Sequence, residues 1–191
     1  MQNYKIMEEE IINETYEDVI IILENCKSID NCTFIRCKFM QDKINSVNII
    51  DTKFKECDLA NIEFDKCGIH NCAFDGNNLI GINILKSTIK KTKFLENNLN
   101  YSRYFDSRFQ NVEFYNNEQS ESEFIDCNFS KMLFIENHSS VITFINTKLK
   151  GVDFSNNNYS IMLGDTKDFK NCTLNFEQGI SFLESLNINI K

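Results

Sequence analysis

The stretch TKFKECDLANIEFDKC, residues 52–67, carries its large apolar residues at Phe54, Leu59 and Phe64, five apart. A half-buried strand repeats every two residues and an amphipathic helix every three or four. A spacing of five belongs to neither. In an extended segment, residues two apart point the same way, so Cys57 and Leu59 face inward together. Five is odd, however, and plain alternation would turn the next pentad outward. A corner must therefore reset the parity once per pentad, giving a chain of short straight sides.

The same register runs far beyond this stretch. Of the 29 positions five apart from Phe34 to Leu174, 26 are Phe, Leu, Ile or Tyr, and the exceptions are Gln119, Ser139 and Gly164. With 42% hydrophobic residues overall, chance would give about 12. Seven of the eight cysteines (Cys32, Cys37, Cys57, Cys67, Cys72, Cys127 and Cys172) stand two residues before a register position. The unit is thus small–x–large–x–x.

A second period sets the number of sides. Every twentieth residue reads Phe34, Phe54, Phe74, Phe94, Phe114, Phe134, Phe154, Leu174, the expected core ladder. A column of small positions reads Asn77, Asn97, Asn117, Asn137, Asn157. Four sides per coil would stack these residues at the strand spacing, making about seven coils and a rod of roughly 34 Å. Stacked asparagines can bond amide to amide. A helical solenoid fails, because five residues advance an α-helix by about 140° and leave no apolar stripe.

The units CDLAN, CNFSK, CKFMQ and CAFDG resemble the pentapeptide-repeat proteins, whose consensus is A-(D/N)-L-x-x. The resemblance covers residues 29–174 and implies a right-handed, four-sided parallel β-helix. This chain uses Cys where Ala is usual and Phe where Leu is common. The tail LNFEQGISFLESLNINIK, residues 174–191, leaves the register, with Phe176, Ile180 and Leu183 at helical spacing. Its end, LESLNINI, resembles the Qnr-type quinolone-resistance proteins. That resemblance implies a helix and strand over 175–191 forming a two-fold homodimer through Phe176, Ile180, Phe182, Leu183, Leu186, Ile188 and Ile190. The Qnr and MfpA branches bind DNA gyrase and are described as DNA mimics, so gyrase or topoisomerase IV is the implied partner. Residues 1–28 are expected to cap the rod, with EDVIIILENC as the strand leading into the first coil.

Charge and motifs narrow the function. The net charge of −8 argues against a protein that grips phosphates. Residues 1–30 hold eight acids against Lys5 and Lys27, whereas Lys86, Lys90, Lys91, Lys93, Arg103 and Arg108 form a basic band followed by an acidic one at Glu113, Glu118, Glu121, Glu123 and Asp126. Cys32/Cys37 and Cys67/Cys72 are five apart, wider than common zinc pairs, and read as core filler. Cys26, off the register, is the expected exposed thiol. His70 and His138 take outward positions. Neither a catalytic triad nor a phosphate loop is present, so no enzyme, cofactor or metal is expected. Gln119 and Ser139 should stack as a polar seam or local bulge. VIIIL, residues 19–23, is too short to span a membrane, and a cytoplasmic, bacterial protein is expected. The alternative to gyrase binding is a rigid adaptor with another protein partner. Six glycines point away from corners requiring positive φ, although Asn can supply them.

Overall fold

The computed structural model describes residues 2–188 and 190. It is a parallel β-solenoid of about eight turns followed by one short helix. Three-residue strands such as Lys53–Lys55, Glu63–Asp65 and Gly68–His70 form successive sides. Each pairs in parallel with the residue twenty away, so Phe54 lies between Phe34 and Phe74, Phe64 between Ile44 and Ile84, and Ile69 between Ile49 and Ile89. The four sides are named below by their first inward residue: the Phe34, Phe39, Ile44 and Ile49 faces.

Phe54, Leu59 and Phe64 are all buried, filling the core from three successive faces. The Phe34 column is a continuous stack, with ring centroids 5.1, 4.8, 4.9, 4.8 and 5.2 Å apart from Phe34 to Phe134 and planes within 8° of parallel. The ladder imposes this near-eclipsed geometry, since the strand spacing and the ring spacing are the same length. Phe154 tilts by 41° against Phe134, and Leu174 closes the column half-buried.

The corners differ from the sequence expectation. They take positive φ at nearly every pentad, and not only at Asn and Gly: Arg36, Glu56, Lys66, Lys86, Lys91, Glu96, Asp106, Lys131 and Glu136 all lie between 49° and 56° except Asp106 at 47°. A left-handed residue costs about 1–2 kcal/mol. Here it aims its N–H at the next coil, as in Arg36 to Lys55 O (2.8 Å), Glu56 to Asp75 O (2.9 Å) and Lys86 to Phe105 O (2.9 Å). The ladder bond offsets the strain, so residue type matters little. On the Phe39 face, tight i to i+3 bonds such as Ile62 N to Leu59 O (3.4 Å) close turns with Asn61, Gly81, Tyr101 or Glu121 at positive φ.

The small inward positions do more than fill space. At many of them the backbone N–H donates to the polar or thiol side chain twenty residues on, and that side chain reaches a carbonyl 23 residues back. Ser87 Oγ accepts from Cys67 N (2.9 Å), and its proton is shared between Leu85 O (2.7 Å) and Phe64 O (3.3 Å). Cys57 Sγ accepts from Cys37 N (3.4 Å) and donates to Phe34 O (3.4 Å). Cysteine is therefore a weak member of a hydrogen-bonding set with Ser, Thr and Asn. The asparagine column is its strongest form, with Nδ2 to Oδ1 distances of 2.9, 3.0, 2.9 and 2.9 Å from Asn77 to Asn157.

Residues before 29, read as a cap, extend the same ladder. Glu10–Ile12 pairs with Ser28–Asp30, and Thr15–Glu17 with Thr33–Ile35, at an offset of 18 instead of twenty. Ile6, Ile11, Tyr16 and Ile21 are five apart and face the core. This coil is two residues short, so its register is out of phase with the rest. Val19–Leu23 is the anticipated strand, parallel to Lys38–Phe39. Arg36 anchors the acidic coil, its guanidinium 2.8 and 2.7 Å from the two oxygens of Asp18 and 2.5 Å from Glu17.

Candidate functional surfaces

The C-terminal helix α1 (Phe176–Ser185) begins with a capping box. Asn175 Oδ1 accepts from Gln178 N (2.9 Å), and Gln178 Oε1 accepts from Asn175 N (2.9 Å). Gln178 is buried, and its Nε2 donates to Phe154 O (3.0 Å) and Asn157 O (2.9 Å). It therefore terminates the asparagine column. Asn-x-x-Gln was readable as a capping box in the sequence; its use as a plug for the rod was not. Phe182 stacks on Phe169 at 4.2 Å, and Phe169 meets Phe144 edge-on at 6.0 Å.

This docking divides the expected dimer residues. Phe182 is buried, Leu186 is half-buried against the solenoid core, and Ile180 is half-buried. Phe176, Leu183, Ile188 and Ile190 stay exposed, Phe176 at 83%. After Ser185 the chain makes a turn, and no strand follows among the described residues; residues 189 and 191 lie outside them.

Gly164 breaks the register because Phe169 needs its space. A Cβ there would meet Phe144 O at 2.4 Å and Phe169 Cε2 at 2.8 Å. Gln119 and Ser139 are both buried, so the seam is internal. Tyr159, from two coils on, donates its hydroxyl to Gln119 Oε1 (2.7 Å), passing the small Ser139, whose single hydroxyl proton is shared between Val141 O (2.8 Å) and Gln119 O (3.0 Å). Burial raises the Tyr159 phenol well above its ordinary value, so it stays a neutral donor. Gln119 Nε2 and Tyr104 Oη lack partners.

Six cysteines are buried and free, while Cys26 and Cys172 are half-buried. No His/Cys/Asp/Glu group among the described residues could hold a metal. Burial pushes the Cys26 thiol up to about 11, and Cys72 and Cys127 up to about 12. Native protein at pH 8 should therefore react with a thiol reagent slowly at Cys26 and Cys172, and at all eight sites only in denaturant. Because the folded state holds these protons more tightly than the unfolded chain, stability should fall as pH rises from about 9 toward 12. An alkaline series of urea melts would read this, and a flat series would contradict it.

These features define a four-sided parallel β-solenoid that carries no helix long and apolar enough to cross a membrane among its described residues. The profile of the pentapeptide repeat region matches residues 27–104, and the twenty-residue ladder continues to Thr173. Over residues 27–104 the chain carries a pentapeptide-repeat region. Solved structures similar to it include a trypsin-treated variant of QnrB1, a plasmid-mediated fluoroquinolone resistance protein (17% identity, 99% of this chain and 100% of that one, TM-score 0.37). HetL, involved in heterocyst differentiation regulation in the cyanobacterium Nostoc, is 9% identical over 90% and 86%, with a TM-score of 0.48. Full-length QnrB1 is 15% identical over 97% and 100%, with a TM-score of 0.31. No curated protein matches the sequence significantly.

Proposed function

We propose that this chain is a non-enzymatic, protein-binding rod that pairs with a second copy through its C-terminal cap. In a bacterial cytoplasm, the paired rod acts as a DNA mimic that engages DNA gyrase or topoisomerase IV and modulates quinolone sensitivity. The cap carries the reading. Its helix is pinned by Gln178 and Phe182, yet leaves Phe176, Leu183, Ile188 and Ile190 in water. A contiguous apolar end on a rigid body calls for a partner, and the tail resembles the dimer-forming end of Qnr-type proteins. Two rods joined end to end would be about 75 Å long and would double the net charge of −8.

One observation favours the adaptor reading instead. On the Ile44 face, Leu85, Phe105, Ile125 and Ile145 stack outward in register, with Phe105 and Ile145 exposed. A flat apolar stripe suits a protein partner and has no counterpart on DNA. Two experiments separate the readings. Wild-type protein should sediment as a dimer at micromolar concentration, and Phe176→Asp with Leu183→Asp as a monomer; a monomeric wild type would remove the dimer. In a gyrase supercoiling assay with and without ciprofloxacin, the dimer should inhibit or protect, and neither effect at tens of micromolar would leave the adaptor.

A further inference from the structure

The net charge of −8 conceals a sorted surface. On the Ile49 face and the corner that follows it stand Lys90, Lys91, Arg108, Lys131, Lys148, Lys150 and Lys170, all exposed. None has an ion-pair partner among the described residues, whereas nine cations elsewhere do, such as Lys43 with Glu63 (2.7 Å) and Asp65 (2.8 Å) and Arg103 with Glu123 (2.8 Å). The acids of this face are Glu10, Asp30 and Asp51 toward the N-terminal end and Asp168, which is buried. From Lys90 to Lys170 is four coils, about 19 Å at the strand spacing. Seven unneutralised cations thus lie on one rigid, flat strip.

The residues between them identify the ligand chemistry. Thr88, Gln110, Asn111, Asn128 and Ser130 alternate with the cations, and the face presents no outward aliphatic or aromatic side chain from Thr88 to Gly151. A shallow groove of about 350 Å³ runs along it, lined by Lys90, Arg108, Gln110, Asn128 and Ser130. Lys and Arg interleaved with small amides and hydroxyls is the set that contacts phosphate oxygens. Protein interfaces centre on aromatic anchors, single strands need stacking platforms, and membrane-surface binding draws on buried apolar side chains; this face offers none of these. We propose that the Ile49 face binds the phosphate backbone of duplex nucleic acid, without reading its sequence. The strip spans about six base pairs at 3.4 Å each. This inference does not depend on gyrase binding.

The test uses the full chain and a labelled 20-base-pair DNA duplex, followed by fluorescence anisotropy. Binding should be measurable at 50 mM salt and fall steeply with salt, with a log–log slope of about −4 if four or five phosphates are contacted. Lys131→Glu with Lys150→Glu should weaken binding at least tenfold. Lys66→Glu with Lys86→Glu, which removes two unpaired cations from a different corner for the same change in net charge, should change it less than threefold. Circular dichroism establishes that both variants fold. No binding at 50 mM salt, or equal weakening by both pairs, would overturn the proposal. So would displacement of the duplex by polyglutamate at lower concentration than by unlabelled duplex, which would make the face a dock for an acidic protein.

Discussion

Asn117→Leu should lower the unfolding free energy by about 4 kcal/mol or more, a large share of the roughly 5–15 kcal/mol that holds a domain folded. Asn117 is fully buried in the middle of the column. Its Oδ1 accepts from Asn97 N (2.9 Å) and Asn97 Nδ2 (3.0 Å), and its Nδ2 donates to Phe94 O (2.9 Å) and Asn137 Oδ1 (2.9 Å). Leucine preserves the bulk and removes all four bonds. Asn97 N is left without its partner in a dry core, Asn97 Nδ2 keeps only Phe74 O (2.9 Å), Asn137 Oδ1 keeps only Asn117 N (3.0 Å), and Phe94 O loses a donor. An unpaired buried atom costs about 1–3 kcal/mol, and each further lost bond about 0.5–1.5 kcal/mol. Asn117→Ser should lose less, because serine already performs the same two bonds at Ser87. Denaturant melts of the three proteins measure the difference. Equal stability of the leucine and serine variants would mean that the column is packing and not bonding.

Gly164→Leu is the second large effect, and its direction opposes the repeat. Leucine restores the large inward residue that the register calls for, yet it should destabilise the C-terminal coil by about 3 kcal/mol or more through overpacking and strain. The Cβ alone would lie 2.4 Å from Phe144 O, a backbone atom that cannot swing aside, and 2.8 Å from Phe169 Cε2. Gly164 also sits at φ 158°, where side chains are strained. Moving Phe169 unseats Phe182, and with it the helix and the exposed apolar cap. The expected result is faster hydrogen exchange and proteolysis from Gly164 onward, loss of the proposed dimer, and an unchanged N-terminal half. A variant as protected as wild type would show that the cap does not rest on this gap.

The sequence makes the coil legible because burial polices it. Phe54, Leu59 and Phe64 must point inward, so their spacing records the geometry. The 18-residue first coil was equally written, at Ile6, Ile11, Tyr16 and Ile21, but the two-residue shortfall shifts its phase and hides it from a search fixed on Phe34. The corners were misread because positive φ at Lys86 or Glu56 is maintained by a ladder bond from the next coil, a long-range cause invisible in local propensity. Six of the seven register cysteines read correctly as buried, while Cys172 and Cys26, the latter expected to be exposed, are both half-buried; the bonding role of the cysteines needed the carbonyls they reach. On the tail, helical spacing located α1 but could not say which of its apolar residues, such as Phe182 and Phe176, face the rod or water. The basic face was hidden for a different reason: in sequence its residues are scattered from 90 to 170, and only the twenty-residue coil gathers them.

That gathering makes the coil a kind of indexing wheel. A residue's face is set by its position modulo twenty, so an insertion of one pentad at any corner would turn everything downstream by a quarter revolution. Outside the asparagine column the core would tolerate it, since most pentads offer a small and a large inward residue; the column from Asn77 to Asn157 would be broken. The surface would not: Lys131, Lys148 and Lys150 would rotate off the strip shared with Lys90 and Arg108. Length in this molecule can therefore vary freely only in whole turns, and surfaces that span several coils, like this one, are what would hold its frame fixed.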